Sequence, residues 1–138
     1  MVSVLDTLRA RAGSHPDKQL YGFLDLQGRV TESYTYESFL KRTRDIAAHI
    51  QRVFPMEPGE RVLLAYPPGL EMIGAFFACV RSGLIPVPVY PPTRQGFQSA
   101  LYKMEFIARD CGAKAVLTDR SYYWSMRLNR ARNKVASF

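Results

Sequence analysis

Two prolines spaced two residues apart, Pro86 and Pro88, interrupt the apolar run LIPVPVY between Leu84 and Tyr90, which otherwise reads as a buried strand. The N–H groups of residues i and i+2 in a strand point to the same flank, so this pair strips two donors from one side. That flank cannot pair well, and the strand is confined to the edge of its sheet. Two further prolines, Pro91 and Pro92, force an extended exit from the strand's C-terminal end.

The neighbouring segments supply the rest of the sheet. RVLLAY, from Arg61 to Tyr66, does not alternate and predicts a strand buried on both faces. It runs through PPG into a helix over about 69–82, apolar almost all round at Leu70, Met72, Ile73, Phe76, Phe77 and Val80. That helix should be deeply covered, with Gly83 as its left-handed cap. After the proline loop, a helix over 97–111 turns Leu101, Met104, Ile107 and Ala108 inward, ends at Gly112 and leads to the short strand AVLT over 115–118. The order is β-α-β-α-β, and right-handed crossovers make it a small parallel sheet with helices on its faces. The proline-marked strand then takes the edge in the second-first-third order of doubly wound sheets.

Upstream the period changes twice. Ser3 caps a short helix with Val4, Leu5 and Leu8 on one face, stopped by Gly13 and Pro16. The runs 20–25 and 29–35 flank Gln27 and Gly28 and predict a β-hairpin, with Gly28 supplying the positive φ of the turn. From Tyr36 to Phe54, Phe39, Leu40, Thr43, Ile46, Ala47, Ile50 and Val53 form a helical stripe, and Lys41, Arg42, Arg44 and Arg52 face solvent. The fold class predicted is α/β: an N-terminal β-hairpin plus a small parallel β-α-β-α-β sheet.

With 138 residues and 47% hydrophobic side chains, the chain is long enough to bury one real core. Its longest uncharged apolar run, over 72–80, is too short to cross a bilayer. The N-terminus places Asp6, Arg9 and Arg11 where a signal peptide needs a continuous apolar segment, so a cytoplasmic protein is expected. Cys79 and Cys111 lie far apart within helical patterns and read as buried free thiols. No CxxC, HExxH or carboxylate cluster marks a metal site, and no glycine-rich cradle marks a phosphate site. His15 and His49 read as surface or packing histidines, so no catalytic residue is assigned.

The net charge of +7 is mostly local: residues 1–119 carry 14 basic and 12 acidic side chains, whereas residues 120–138 add five basic ones and no acid. With Tyr122, Tyr123 and Trp124, this tail could touch nucleic acid through phosphate contacts and base stacking. It also reads as a helix with Tyr123, Met126, Leu128 and Val135 on one face. The helical tail over 120–138 is preferred, because a nucleic-acid-binding domain spreads its charge over a folded face.

Four stretches carry a resemblance: YGFLD at 21–25, YTYESF at 34–39, GERVLLAYPPGLEMIGAFFACVRSG at 59–83 and IPVPVYPP at 85–92. Together they closely resemble the N-terminal part of fatty acyl-AMP ligases, in the adenylate-forming superfamily of acyl-CoA synthetases and luciferases. Tyr34, Thr35 and Tyr36 with Leu40 are similar to the first core motif of that superfamily; Arg81, Ser82 and Gly83 with Pro86, Val87 and Pro88 are similar to the second. The resemblance implies a partial doubly wound subdomain of an adenylation domain. It also implies an activity in fatty acid metabolism and lipid biosynthesis, in which ATP and a fatty acid give an acyl-adenylate that is passed to an acyl carrier protein, with magnesium on the phosphates. The family's phosphate loop, its acidic motifs and its C-terminal catalytic lysine have no counterpart in these 138 residues. The chain is therefore expected to be an inactive N-terminal fragment, one partner being the remaining part of the ligase. Its sheet should be unpaired beside AVLT or RVLLAY, with marginal stability or self-association. The alternative is a stand-alone, non-catalytic interaction module derived from such an enzyme.

Tyr90, Pro91, Pro92 and Arg94 are the candidate substrate-binding residues, because they leave the C-terminal end of a parallel strand, where ligands of open α/β sheets bind. The competing reading is that this loop only turns the chain.

Overall fold

The structure, a computed structural model, describes residues 2–91, 96–120 and 122–124. Along them run α1 (Val4–Ser14), β1 (Gln19–Leu24), β2 (Val30–Thr35), α2 (Tyr36–Val53), β3 (Arg61–Ala65), α3 (Leu70–Arg81), β4 (Ile85–Pro88), α4 (Phe97–Cys111) and β5 (Ala115–Thr118). β1 and β2 form an antiparallel hairpin, and β4, β3 and β5 form a parallel sheet in that spatial order. This is the α/β class and the second-first-third order expected.

The prolines act as their spacing predicts. Ile85 N–H donates to the Glu60 carbonyl at 2.8 Å and Val89 N–H to that of Leu64 at 3.0 Å, so the odd-numbered donors face β3. Pro86 and Pro88, of opposite parity, place their nitrogens on the outer flank. β3, the central strand, has Val62, Leu63, Leu64 and Ala65 all buried. Both of its edges are paired, so the sheet is not open beside RVLLAY. Among the described residues β5 pairs only with β3, which leaves the AVLT side open.

One face of the sheet presents Val62, Leu64, Ala115 and Leu117 to Ala75, Ala78 and Cys79 of α3, with Ala47 and Ile50 of α2 closing the cluster. A second cluster joins Leu8 and Ala12 of α1 to Phe39 and Leu40 of α2, with Tyr21 and Tyr34 of the hairpin and Ile73 and Phe77 of α3 against them. Both clusters share α2 and α3. Fully buried Phe39 meets Tyr21, Tyr34 and Phe77 with ring centroids 5.1, 5.6 and 5.3 Å away.

Four expectations are corrected. In α3 it is Leu70 and the small residues Gly74, Ala75, Ala78 and Cys79 that are buried, while Met72, Ile73, Phe76, Phe77 and Val80 are half-buried. Small side chains let α2 and the sheet approach closely: a Cβ on Gly74 would stand 3.4 Å from Ile46 Cδ1. α4 buries no residue, and its Ile107 is exposed, because a helical stripe reveals a shared face and not what covers it. Val4 and Val53, at the ends of their stripes, are exposed. Arg42 is turned inward, as described below. Ser3 does cap α1, in a capping box with Asp6, and Gly28 does take a positive φ, 76°, in the hairpin turn. Arg120 and Tyr122 to Trp124 are helical, and the rest of the tail lies outside the described residues.

Candidate substrate-binding rim

The C-terminal ends of β4, β3 and β5 converge on one rim. β3 continues into Tyr66, Pro67, Pro68 and Gly69 before α3 begins, and β5 ends at Thr118 and Asp119. Thr118 Oγ1 donates to the Ala65 carbonyl at 2.7 Å, tying the two strand ends together where the ladder stops. Asp119 closes the turn after β5: its Oδ1 accepts Tyr122 N–H at 2.8 Å and its carbonyl accepts Tyr123 N–H at 3.0 Å.

Glu71, in the first turn of α3, is held by two elements from far upstream. Tyr34 Oη, near the end of β2, donates to Oε1 at 3.2 Å, and Arg42 Nη2, from α2, donates to Oε2 at 2.5 Å. The hydrogen bond to Glu71 is the main influence keeping the Arg42 guanidinium charged, raising its pKa further. Arg42 was expected on the wet face, but its place one turn before Ile46 sets it on the flank that α3 covers. The Tyr66 phenol is pushed up to about 12, first by burial and then by the charges of Glu71 and Asp119 among others, with Arg42 opposing. It is therefore a neutral hydroxyl at the end of the central strand, able to donate a hydrogen bond to a ligand oxygen.

The sequence-derived site residues fare unevenly. Tyr90 is 95% exposed and Pro91 half-buried at the end of β4, while Pro92 and Arg94 lie outside the described residues. The residues that the fold brings to the rim and sequence reasoning missed are Tyr66, Glu71, Thr118 and Asp119, with Tyr34 and Arg42 behind Glu71. The available signal was that each follows the end of a strand or precedes a helix that the pattern had already located. Cys79 is a buried thiol, raised to about 11 by burial, whereas Cys111 is only half-buried.

A parallel sheet in this order, with loops and polar side chains gathered at its C-terminal strand ends, defines the open α/β class whose ligands bind at that rim. The chain belongs to the AMP-binding enzyme family, which matches residues 8–137. It is 33% identical over 126 residues to Disco-interacting protein 2 homolog A of Homo sapiens, covering 91% of this chain and 8% of that protein. It is 31% identical over 125 residues to the medium-chain-fatty-acid acyl-carrier-protein ligase JamA of Moorena producens, covering 91% of this chain and 21% of that protein. Among solved structures, the fatty acyl-adenylate ligase of L. pneumophila in complex with acyl adenylate and pyrophosphate superposes with a TM-score of 0.78 and 34% identity, over 89% of this chain and 21% of that one. The fatty acid AMP ligase of Legionella pneumophila gives 0.77 and 34%, over 88% and 20%. The resemblance drawn from the motifs is thus borne out, and the chain spans about a fifth or less of the length of these relatives.

Proposed function

We propose that this chain is the N-terminal subdomain of a fatty acyl-AMP ligase, supplying scaffold and one wall of the substrate region and inactive by itself. The observation that carries this reading is the likeness, at 34% identity, to a ligase described with acyl adenylate and pyrophosphate. A carboxylate is a poor electrophile until AMP becomes its leaving group, so such an enzyme must hold a fatty acid and ATP together against their mutual repulsion. In this reading the rim positions one side of that assembly: Tyr66 offers a neutral donor, the Tyr34–Glu71–Arg42 clamp fixes the turn that carries it, and Tyr90, Pro91, Pro92 and Arg94 border the opening.

The side chains at the rim do not suit magnesium. No group of three His, Cys, Asp or Glu residues able to hold a metal exists among the described residues, and Glu71 is committed to Tyr34 and Arg42. Metal, nucleotide phosphates and the acyl carrier protein are therefore assigned to other parts of the ligase, working in the cytoplasm. Among the described residues, no helix is long and apolar enough to cross a membrane. A non-catalytic interaction module is the second reading, favoured by the Disco-interacting protein 2 relatives, whose name describes binding to another protein.

Acyl-adenylate formation from ATP and a fatty acid separates the two. It is measured for the 138-residue chain alone and for a hybrid in which the chain replaces the matching segment of the L. pneumophila ligase. The proposal expects activity in the hybrid only. A folded but inactive hybrid, or an active chain on its own, would overturn it.

A further inference from the structure

A cleft of about 740 Å³ lies between α1 and the first half of α2, floored by Ala12 and Leu40 and bordered by Arg9, Lys41 and Arg44. Glu37 is the acidic residue on its wall. Arg9 is shared with exposed Asp6 at 3.1 Å, while Lys41 and Arg44 form no ion pair among the described residues. Arg81, the last residue of α3, is electrostatically part of the same group. Its Nε and Nη2 are buried and have no acceptor among the described residues. Burial, and then the charges of Arg9 and Arg44, hold its pKa below the ordinary arginine value, and no carboxylate offsets them.

A guanidinium with buried, unanswered N–H groups is unfavourable, and two neighbouring cations add to the cost. An anion relieves both. Arg9, Lys41, Arg44 and Arg81 set four positive charges against the carboxylates of Asp6 and Glu37, an excess of two. A dianionic phosphate matches that excess, whereas a single carboxylate leaves half of it. Guanidinium forks also pair with phosphate oxygens two at a time. The hydroxyls of Thr35 and Ser38 are engaged in the cap of α2, so cations dominate recognition.

We propose that this cleft binds a small phosphate-bearing anion, with Lys41 and Arg44 from α2, Arg9 from α1 and Arg81 from α3 as its ligands. None of the cleft's lining residues belongs to the rim, so this is a second site.

The test titrates sodium pyrophosphate, and separately inorganic phosphate, into the 138-residue chain at matched ionic strength, reading thermal unfolding and titration calorimetry. Because a ligand of the folded state raises the melting temperature by mass action, marginal stability makes the readout more sensitive rather than less. A saturable rise with one pyrophosphate per chain is expected. It should vanish in the double variant Lys41→Gln/Arg44→Gln, whose exposed side chains lie outside both core clusters. Arg81→Lys, which keeps the charge and loses the fork, should weaken binding roughly tenfold. A melting temperature indifferent to both anions, or an equal rise in the double variant, would rule the site out. So would saturation by a polyglutamate peptide without any response to pyrophosphate, which would mark the cleft as a protein-docking surface instead.

Discussion

Tyr66 shows what a single side chain gains from the strand end on which it sits. An ordinary tyrosine ionises near 10.0, and here the phenol is pushed up to about 12. The folded state thus holds this proton more tightly than the unfolded one, so its contribution to stability is complete below pH 10 and is lost as pH climbs from 10 through 12. Tyr21 and Tyr34 are raised too, in each case first by burial, so the wild-type loss is shared. The difference between the chain and Tyr66→Phe isolates one of them: denaturant unfolding at pH 9 and pH 11 should show a shallower alkaline loss in the variant. Equal slopes would mean that the phenol is solvated. None of this was legible in the sequence, where Tyr66 reads as the last letter of a strand. Its charged neighbours, Glu71 and Asp119, are five and 53 residues away along the chain, and only the parallel pairing of β3 with β5 brings Asp119 near.

At the scale of elements, the regular ones were legible to within a residue or two. α4 and β5 have the bounds their patterns predict, and the edge position of β4 follows from Pro86 and Pro88 alone. What periodicity left out is depth. It shows which residues share a face and nothing of what packs there, so α3 hides its small residues and α4 hides none. The proline pair gives a prediction at this scale. Pro86→Thr/Pro88→Thr restores two outward N–H donors to an otherwise donor-poor edge, and edge-to-edge pairing between copies should increase. Sedimentation velocity should then show a larger dimer fraction than the parent at the same concentration. An unchanged distribution would mean that the edge is guarded by something other than its missing donors.

For the molecule as a whole, the decisive fact is that two core clusters share the same pair of helices. Phe39 is buried in one of them, and its removal should be felt in both. Phe39→Ala is expected to cost ~3–5 kcal/mol, a large part of the stability of a small domain. Urea unfolding followed by circular dichroism and by tyrosine fluorescence should shift as one transition, and two separated transitions would show that the hairpin cluster melts independently. The sequence foresaw the architecture because strand and helix signals are local, but it could not foresee the rim, which is built from residues on β2, α2, α3 and the ends of β3 and β5. The clamp on Glu71 joins residues 37 and 29 positions apart. On a ribosome, which delivers a chain from its N-terminus, Tyr34 and Arg42 emerge before the loop that they grip. The turn at the heart of the rim thus enters a mould cast by earlier residues, and its shape is inherited as it is synthesised.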